Sequence, residues 1–429
     1  MNEFASVVLF VSLAQFFEEV TSELVYLQAV CRHGDRAPIE FHPNYQHIEK
    51  WNMGRGRLTE KGMDQCYLNG RMYRNHYQKL FSEPYNPNEM IIQSSHIDRT
   101  ITSGQSFAAG FLGSGYLPEV SNTGKYVPYP VHSISDEVDY YLAGAGRICA
   151  QLISIFEDYT ASQHYSLFVA ENQEKIGHVC EKAGYPLKEW SLTSVCRLAD
   201  TFTCDKAHGL SLPDWLDEDT WQTILNISQK ARELRLTYPG VKTYQVGGGG
   251  FIHLLLENLR GFVNGTQNET VFNLYYAHDN TLLGFLTNLN YDDLRSNPVY
   301  TSCINIELHY TNDRFLVDVL YKNESESMTM HRLVPWGCPQ NESCLLENFF
   351  ISMEGLENPD PAAACRPTDI VIQLTFTASH LVVLSVSSCI LLITLLTLAY
   401  ACGLNRATNK LAPKKRGVHY APLKFMSDL

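Results

Sequence analysis

One stretch of the chain limits its fold more than any other, because it carries no charge over a length that can cross a membrane. Residues 379–402 contain the run LVVLSVSSCILLITLLTLAYAC, and about 22 apolar residues are enough for a helix to span a bilayer. The residues that follow are mostly basic: Arg406, Lys410, Lys414, Lys415, Arg416 and Lys424, against Asp428. Because positive charge stays on the cytosolic side, we predict a transmembrane helix at 379–402 and a cytoplasmic tail at 403–429. A buried core helix is the alternative.

A second apolar run lies at the extreme N-terminus. Residues 5–14 are too short to span a bilayer and are typical of the core of a signal peptide, although Glu3 stands where positive charge is usual. We predict a signal peptide at 1–22, with cleavage before Glu23, and an N-terminal buried strand or helix is the alternative. Residues 23–369 then form a lumenal or extracellular domain, and the whole is a type I single-pass membrane protein.

Two further features favour an oxidising, secretory compartment. Ten of the twelve cysteines lie between the two apolar runs, which permits disulfides without revealing their pairing. Five glycosylation sequons lie in the same region, at Asn226, Asn264, Asn268, Asn323 and Asn341.

Composition narrows the class of protein. The chain has 429 residues, of which 45% are hydrophobic and 18% are charged, so it can bury a sizeable core. Its formal net charge of −13 makes nucleic acid a poor partner. Any site for an anionic ligand must therefore be a local island of positive charge.

The order of the predicted elements indicates an α/β fold. Apolar segments at 23–30, 89–95 and 271–277 are predicted strands, and helical patterns at 100–112 and 281–289 follow the second and third. A late hairpin turns at 311–313. These elements predict a sheet covered by helices on both faces.

Two regions do not show this alternation of predicted strands and helices. Residues 125–240 are irregular and rich in helical patterns, so we predict a separate helical cap lobe there. A phosphate-binding loop requires Lys-Ser/Thr after its glycines. The four glycines at 247–250 are not followed by this pair. We expect a flexible loop there, leading into a helix at 251–259.

Polar side chains follow each of the three predicted strands. Arg32, His33 and Arg36 follow the first, Arg99 follows the second, and His278 and Asp279 follow the third. Ligands of open α/β sheets bind beyond the carboxyl ends of the strands. If the three strands are parallel neighbours, the six side chains converge on one pocket.

Such a pocket has the chemistry of phosphoryl transfer. Arginine forks match phosphate oxygens, and a neutral imidazole can attack phosphorus and form a phosphohistidine. A second histidine can stabilise the phosphoryl oxygens, and a carboxylic acid can protonate the leaving oxygen. Because the guanidinium groups already neutralise the phosphoryl group, we expect no metal or other cofactor. The alternative for the His-Asp pair alone is a surface or capping contact.

Several segments together resemble one family. RHGDRAP at 32–38, Leu-Thr-x-x-Gly at 58–62, IDRT at 97–100, AHDNT at 277–281 and TFTCDKAHGLSLPDW at 201–215 are similar to the matching segments of the histidine acid phosphatases. That family, with prostatic and lysosomal members, is a branch of the histidine phosphatase superfamily. The resemblance runs from about residue 24 to residue 365.

The resemblance implies a fold and a set of roles. The fold is a phosphoglycerate-mutase-like α/β core sheet flanked by helices, with a helical cap over the site. His33 would be the nucleophile and Asp279 the proton donor. The phosphate would be bound by Arg32, Arg36, Arg99 and His278.

The resemblance also implies three disulfides, Cys149–Cys365, Cys204–Cys303 and Cys338–Cys344, with Cys180–Cys196 as a further guess. Cys31 stands where the family usually has an apolar or aromatic residue, and we read it as a small buried packing residue. The family often has arginine at Gln93 and an acidic or polar residue at His96. These two departures bear on substrate fit rather than on the reaction.

We therefore expect a membrane-anchored acid phosphatase that hydrolyses small phosphate monoesters. Two alternatives stay open: a phosphatase of inositol or lipid phosphates, and a non-catalytic ectodomain that binds phosphate or protein. The tail pattern Tyr420-Ala421-Pro422-Leu423 is of the kind that sorting adaptors bind, and a plain tail is the alternative. It favours lysosome or endosome over plasma membrane. Relatives dimerise, so a homodimer is a further expectation.

Overall fold

The computed structural model describes residues 22–83, 86–113, 129–142, 148–236, 243–266, 269–289, 297–366, 392–398 and 400. The chain divides into two compact units, Met1–Thr368 and Asp369–Leu429. The predicted signal peptide, most of the predicted membrane span, and Tyr420 lie outside the described residues. Within them, no helix combines the length and apolar character needed to cross a membrane.

A single mixed sheet organises the first unit. The strands of the described chain are β1 (Glu23–Arg32), β2 (Met90–Ser95), β3 (Val131–Ile134), β4 (Phe272–Ala277), β5 (Cys303–Thr311), β6 (Arg314–Lys322), β7 (His331–Leu333) and β8 (Cys344–Leu345). Their order is β3-β2-β4-β1-β5-β6-β7, and β8 pairs with β6. The predicted late hairpin is confirmed: β5 and β6 are antiparallel, and Asn312 and Asp313 turn between them at positive φ.

Helices cover both faces of this sheet. The described helices are α1 (Glu60–His76), α2 (Asp98–Leu112), α3 (Ala150–Ala161), α4 (Gln163–Lys182), α5 (Leu192–Ala207), α6 (Glu218–Leu236), α7 (Thr243–Val263), α8 (Asp279–Asn288), α9 (Leu346–Glu354) and α10 (Pro361–Ala364). Side chains of β1 alternate between the faces, as the period of a strand requires. Leu27 and Ala29 pack with α1 and α2, whereas Tyr26 and Val30 pack with α7, α8 and α9. The predicted two-sided α/β sheet is confirmed.

The cap has its own hydrophobic core, built from α4, α5 and α6. Val195, Phe202 and Ile224 are fully buried in it. The cap was predicted at approximately 125–240, and within that range Val131–Ile134 pairs with β2 as a strand of the main sheet. The described helices of the cap run from residue 150 to residue 236.

The four glycines at 247–250 lie inside α7, so the predicted flexible loop is wrong. Glycine weakens a helix by about 1 kcal/mol relative to alanine, but close packing needs it here. A Cβ on Gly249 would come within 2.8 Å of the Leu356 carbonyl oxygen, and one on Gly250 within 2.7 Å of Pro361. The missing side chains let α7 lie directly against the segment that joins α9 to α10.

The disulfides agree with two of the implied pairs and correct the third. Cys149–Cys365 and Cys338–Cys344 are formed. Cys303 is bonded to Cys31 and not to Cys204, so Cys31 is not a simple packing residue. These two cysteines are register partners on β1 and β5, with Cα atoms 4.1 Å apart. The remaining described cysteines of this unit carry free thiols: Cys66, Cys180, Cys196 and Cys204. The guess Cys180–Cys196 is therefore wrong.

The sequons lie mainly on the surface. Asn226, Asn264 and Asn341 are exposed, and Asn323 is half-buried because its side chain accepts a hydrogen bond from the backbone of Val299. Asn268 lies outside the described residues. Exposure is what a glycosylation site needs, so three of the five predicted sites are sterically open.

Candidate active site

Parallel pairing brings the three predicted strand ends to one edge of the sheet. β4 lies between β1 and β2 and is parallel to both. The polar residues that follow these strands all line one cavity of about 1060 Å³, beneath the cap: Arg32, His33, Arg36, Arg99, His278 and Asp279. The predicted convergence of these six side chains required the three strands to be parallel neighbours. The observed pairing of β1, β4 and β2 meets that condition.

Hydrogen bonds fix both the backbone and the ring of His33, which lines the cavity. Its backbone nitrogen donates to Ala277, at the end of β4, over 3.1 Å. Its Nδ1 lies 2.7 Å from the carbonyl oxygen of Gly34. A carbonyl can only accept, so Nδ1 carries the proton and Nε2 carries the lone pair. Burial, together with the charges of Arg99 and Arg32, holds the pKa of His33 well below its usual range. The imidazole is therefore neutral and nucleophilic even in acid.

Two glycines let the loop after β1 pack against the start of α1. A Cβ on Gly34 would come within 2.3 Å of the Gly62 carbonyl oxygen, and one on Gly62 within 2.1 Å of the Asp35 carbonyl oxygen. Thr59 caps α1 by accepting from the Gly62 nitrogen, and it donates to the Asp35 carboxylate over 2.5 Å. Asp35 also lies 2.6 Å from Nε2 of His208 in the cap. The Leu-Thr-x-x-Gly segment thus fixes the loop that carries His33.

Replacing Gly62 by alanine should destabilise the protein. The added methyl group has no room against the Asp35 backbone, and overpacking of this kind costs about 1–3 kcal/mol. The melting temperature should fall and phosphatase activity should drop with it. Gly355→Ala adds a methyl group that would meet nothing within 4 Å, at φ −74°, and so serves as the control. Equal melting temperatures for the wild type and Gly62→Ala would contradict the close approach.

Arg32 and Arg36 are positioned by carboxylates and by an aromatic ring. Arg32 lies 3.3 Å from the carboxylate of Asp279 and 4.2 Å above the ring of Tyr300. Arg36 forms a fork with both carboxylate oxygens of Asp200, over 3.2 and 2.8 Å. Sequence reasoning missed Asp200, which lies on α5 of the cap, and missed Tyr300. Asp200 directly precedes the segment 201–215, but nothing in that segment marks it as a partner of Arg36, and only the fold brings either residue to the site.

A chain of hydrogen bonds fixes His278. Its Nδ1 accepts from Arg99 over 3.1 Å, because arginine can only donate. Its Nε2 therefore donates to Ser95 over 2.9 Å, and Ser95 donates onward to Thr100 over 2.8 Å. Burial and the charge of Arg99 lower the pKa of His278 to about 3. In the empty site His278 is therefore neutral, and its Nδ1 orients Arg99.

Asp279 begins α8, directly beside the arginines. Burial on its own raises the pKa of this carboxyl, but the charges of Arg32 and Arg36 outweigh burial and hold the pKa well below its usual range. The arginines also repel one another: burial and Arg36 lower the pKa of Arg99 to about 10. An anion bound among them relieves that repulsion.

Elsewhere in the described chain, one cluster offers metal ligands. His253, Glu257 and Glu357 bring their donor atoms within 4.8 Å of one another. Arg260 forms a two-point ion pair with Glu357, over 2.8 and 3.1 Å, and another ion pair with Glu257 over 2.8 Å. Both carboxylates already pair with Arg260, and the cluster does not line the cavity.

The chain is similar to two acid phosphatases in sequence and to a phytase in fold. The chain is 28% identical to lysosomal acid phosphatase of Xenopus laevis over 358 residues, which is 82% of this chain and 80% of the relative. It is 28% identical to prostatic acid phosphatase of Rattus norvegicus over 353 residues, 81% and 90% of the two chains. Phytase of Hafnia alvei in complex with myo-inositol hexakis sulphate has a similar fold, with a TM-score of 0.57 at 15% identity over 81% of this chain and 99% of that one.

The family model "Histidine phosphatase superfamily (branch 2)" matches residues 23–322. That span begins with β1 and ends with β6, so it contains all three strand ends and the residues that follow them. The chain therefore belongs to branch 2 of the histidine phosphatase superfamily.

Proposed function

We propose that the protein hydrolyses phosphate monoesters through a phosphohistidine on His33, with Asp279 as the proton donor. One observation carries the proposal: a neutral imidazole, with Nε2 unprotonated, lies among arginines that suit a phosphate group. The names of the two relatives described above, both acid phosphatases, support the same reaction.

In the first step, the phosphate displaces the internal partners of the arginines. Arg32, Arg36 and Arg99 bind its oxygens, and Nε2 of His33 attacks phosphorus opposite the leaving oxygen. The P–N bond forms as the P–O bond to the leaving group breaks, and Asp279 gives that oxygen its proton. No metal is needed in this scheme, because the guanidinium groups carry the charge of the transition state.

In the second step, water releases the phosphate. Asp279, now a carboxylate, takes a proton from the water as its oxygen attacks phosphorus. The P–N bond breaks, inorganic phosphate forms, and His33 returns to its neutral state. One carboxyl group therefore serves as acid and then as base.

The ionisation of Asp279 depends on whether the site is occupied. In the empty site Arg32 holds the carboxyl ionised. A bound phosphate competes for Arg32 and places negative charge nearby, and both effects raise the pKa of Asp279. Substrate binding thus loads the proton donor in acid, while the burial of His33 continues to oppose protonation of the nucleophile.

The pH dependence of activity tests this function. We expect the full chain, made in an oxidising secretory host and purified in detergent, to release phosphate from an aryl ester with a maximum in acid, when assayed from about pH 4 to about pH 8. Activity should fall as pH rises, because Asp279 no longer carries a proton in the complex. It should persist below the usual pKa of histidine, since the pKa of His33 is depressed.

A chelator separates the proposed chemistry from metal-assisted hydrolysis. Activity that survives the chelator supports the proposal, and activity that needs an added divalent metal contradicts it. A folded protein without turnover on aryl, inositol or lipid phosphates would favour a non-catalytic ectodomain. Relative rates on those three ester classes distinguish a phosphatase of small monoesters from one of inositol or lipid phosphates.

We also propose that the chain is anchored by residues 379–402 after removal of residues 1–22. The proposal is supported by the uncharged run and the basic residues after it. Lysosomal relatives support a lysosomal location. We expect the full chain to stay with membranes after an alkaline carbonate wash, and a chain ending at residue 369 to be secreted. Release of the full chain by the wash would contradict the anchor, and the secreted protein is the control for folding.

A further inference from the structure

The peptide unit that joins Gly34 to Asp35 lies next to the proposed nucleophile. Its carbonyl oxygen, which belongs to Gly34, accepts from Nδ1 of His33 over 2.7 Å. This contact keeps the proton on Nδ1 and leaves the lone pair on Nε2. The orientation of one peptide plane therefore decides which ring nitrogen of His33 can attack phosphorus.

Gly34 gives that plane little conformational preference of its own. A Cβ on Gly34 would come within 2.3 Å of the Gly62 carbonyl oxygen, so the close packing against α1 requires glycine. Glycine rotates about its backbone bonds more freely than any other residue, and the peptide plane that follows it turns at little cost. Contacts from elsewhere in the fold must therefore fix the plane.

Gln65 holds the other edge of the same plane. The Asp35 backbone nitrogen donates to Oε1 of Gln65 over 2.8 Å. The N–H and the C=O of one peptide unit are parts of a single rigid plane, so a rotation that breaks one of these hydrogen bonds breaks the other. The ring of His33, the peptide unit and Gln65 thus form one chain of hydrogen bonds.

The neighbouring peptide units have different partners. The Gly34 nitrogen donates to Oγ of Ser103 over 3.2 Å, and the Asp35 carbonyl oxygen accepts from the Thr59 nitrogen over 3.0 Å. The Asp35 carboxylate contacts the side chains of Thr59 and His208. These contacts hold the chain before and after the plane, and they leave the two groups of the plane itself to His33 and Gln65.

Gln65 reaches the loop because of its place on α1. It follows Thr59 and Gly62 at intervals of three residues, so all three lie on the face of α1 that meets the loop. The Gln65 side chain is half-buried and does not line the cavity. It touches neither a bound phosphate nor the reacting atoms, so its effect on the reaction passes through the peptide plane.

The same chain of hydrogen bonds suits the charge that develops during the reaction. When Nε2 of His33 bonds to phosphorus while Nδ1 keeps its proton, the imidazole ring becomes positively charged. The Gly34 carbonyl oxygen stabilises that charge. Because hydrogen bonds in a chain polarise one another, a peptide unit that donates to Gln65 is a stronger acceptor for His33.

We propose that Gln65 is a positioning residue for the nucleophile, which orients the Gly34–Asp35 peptide plane so that Nε2 of His33 carries the lone pair. The proposal rests on the phosphatase function proposed above and adds to it a residue outside the cavity. The arginines bind the phosphate through their own side chains. Gln65 should therefore govern the rate of phosphoryl transfer and leave the affinity for phosphate unchanged.

Two variants separate the acceptor oxygen of Gln65 from the bulk of its side chain. Leucine in Gln65→Leu cannot accept, whereas the carboxyl group in Gln65→Glu accepts in either protonation state. The assay uses the full chain in excess over p-nitrophenyl phosphate and follows nitrophenol release in the first turnover. We expect this rate to fall about ten-fold in Gln65→Leu and to stay within about three-fold of the wild type in Gln65→Glu. The inhibition constant of inorganic phosphate should stay within about two-fold in both.

Gln222→Leu is the matched control. Gln222 is exposed on α6, donates to Glu218 over 2.7 Å and does not line the cavity. Its first-turnover rate should stay within about two-fold of the wild type. Gln65→Lys repeats the test with a side chain that can only donate. Its rate should fall as in Gln65→Leu, so the proposal can be judged even where the leucine variant does not fold.

The outcomes separate the two proposals. A folded wild type that does not hydrolyse p-nitrophenyl phosphate contradicts the phosphatase function. If the wild type is active, and a folded Gln65→Leu or Gln65→Lys keeps its first-turnover rate, the positioning role fails alone. The role also fails if Gln65→Glu loses as much as Gln65→Leu. A rise in the inhibition constant of phosphate that matches the fall in rate would overturn it too, because Gln65 would then support the whole loop.

Discussion

Replacing His33 by alanine should reduce phosphatase turnover by roughly 10⁴-fold or more, because the reaction loses its nucleophile. The arginines remain, so binding of inorganic phosphate should survive. In the wild type, rapid quenching during turnover should trap a phosphorylated protein that is labile in acid and stable in base, as expected for a P–N bond. Peptide mapping should place the phosphate on His33.

His96→Ala is the control for this variant. His96 is exposed, lies near the same edge of the sheet, and contacts Ser133 over 3.0 Å without lining the cavity. It should keep the activity of the wild type. Substantial turnover in His33→Ala, or phosphate trapped on another residue, would contradict the proposed nucleophile.

Replacing Asp279 by asparagine should separate the two chemical steps. Loss of a general acid typically costs 10²- to 10⁴-fold, but an aryl leaving group with a low pKa departs without protonation. With p-nitrophenyl phosphate we therefore expect a burst of nitrophenol equal to the enzyme concentration, followed by slow turnover, since the carboxylate is missing when water attacks. With glycerol phosphate, whose leaving group needs a proton, no burst should appear.

Asp98→Asn serves as the matched control, because Asp98 forms an exposed ion pair with Arg57 and does not line the cavity. It should behave as the wild type with both esters. Equal bursts from aryl and alkyl esters in Asp279→Asn would show that another group donates the proton. Loss of the burst with both esters, in a folded variant, would assign Asp279 to binding instead.

The residues that directly follow three predicted strands were enough to predict which six side chains line the candidate site. Each strand end carries its polar group within a few residues, and the parallel pairing of β1, β4 and β2 brings those groups together. The prediction had to assume only that these three strands are parallel neighbours in the sheet. The order of the predicted strands and helices also indicated that helices cover both faces of the sheet, which the two clusters of core residues confirm.

Features that depend on distant contacts could not be predicted. Asp200 lies 164 positions after Arg36, and although the segment at 201–215 begins directly after it, no spacing pairs the two residues. Cys31 has Cys303 as its partner because two strands far apart in sequence lie side by side, which no spacing reveals. The glycines of α7 suggest a loop by composition, and only the neighbouring Leu356 and Pro361 explain why they are helical.

The central position of β1 has a consequence for biosynthesis. Its two neighbours in the sheet, β4 and β5, come from residues 272–311. At about 5–20 residues per second, the ribosome needs roughly 15–60 s to deliver them after β1 has been made. During that time the central strand of the described sheet has both edges open to other chains. Newly made protein should therefore depend on chaperones of the secretory pathway, and truncations before residue 303 should aggregate instead of forming a partial enzyme.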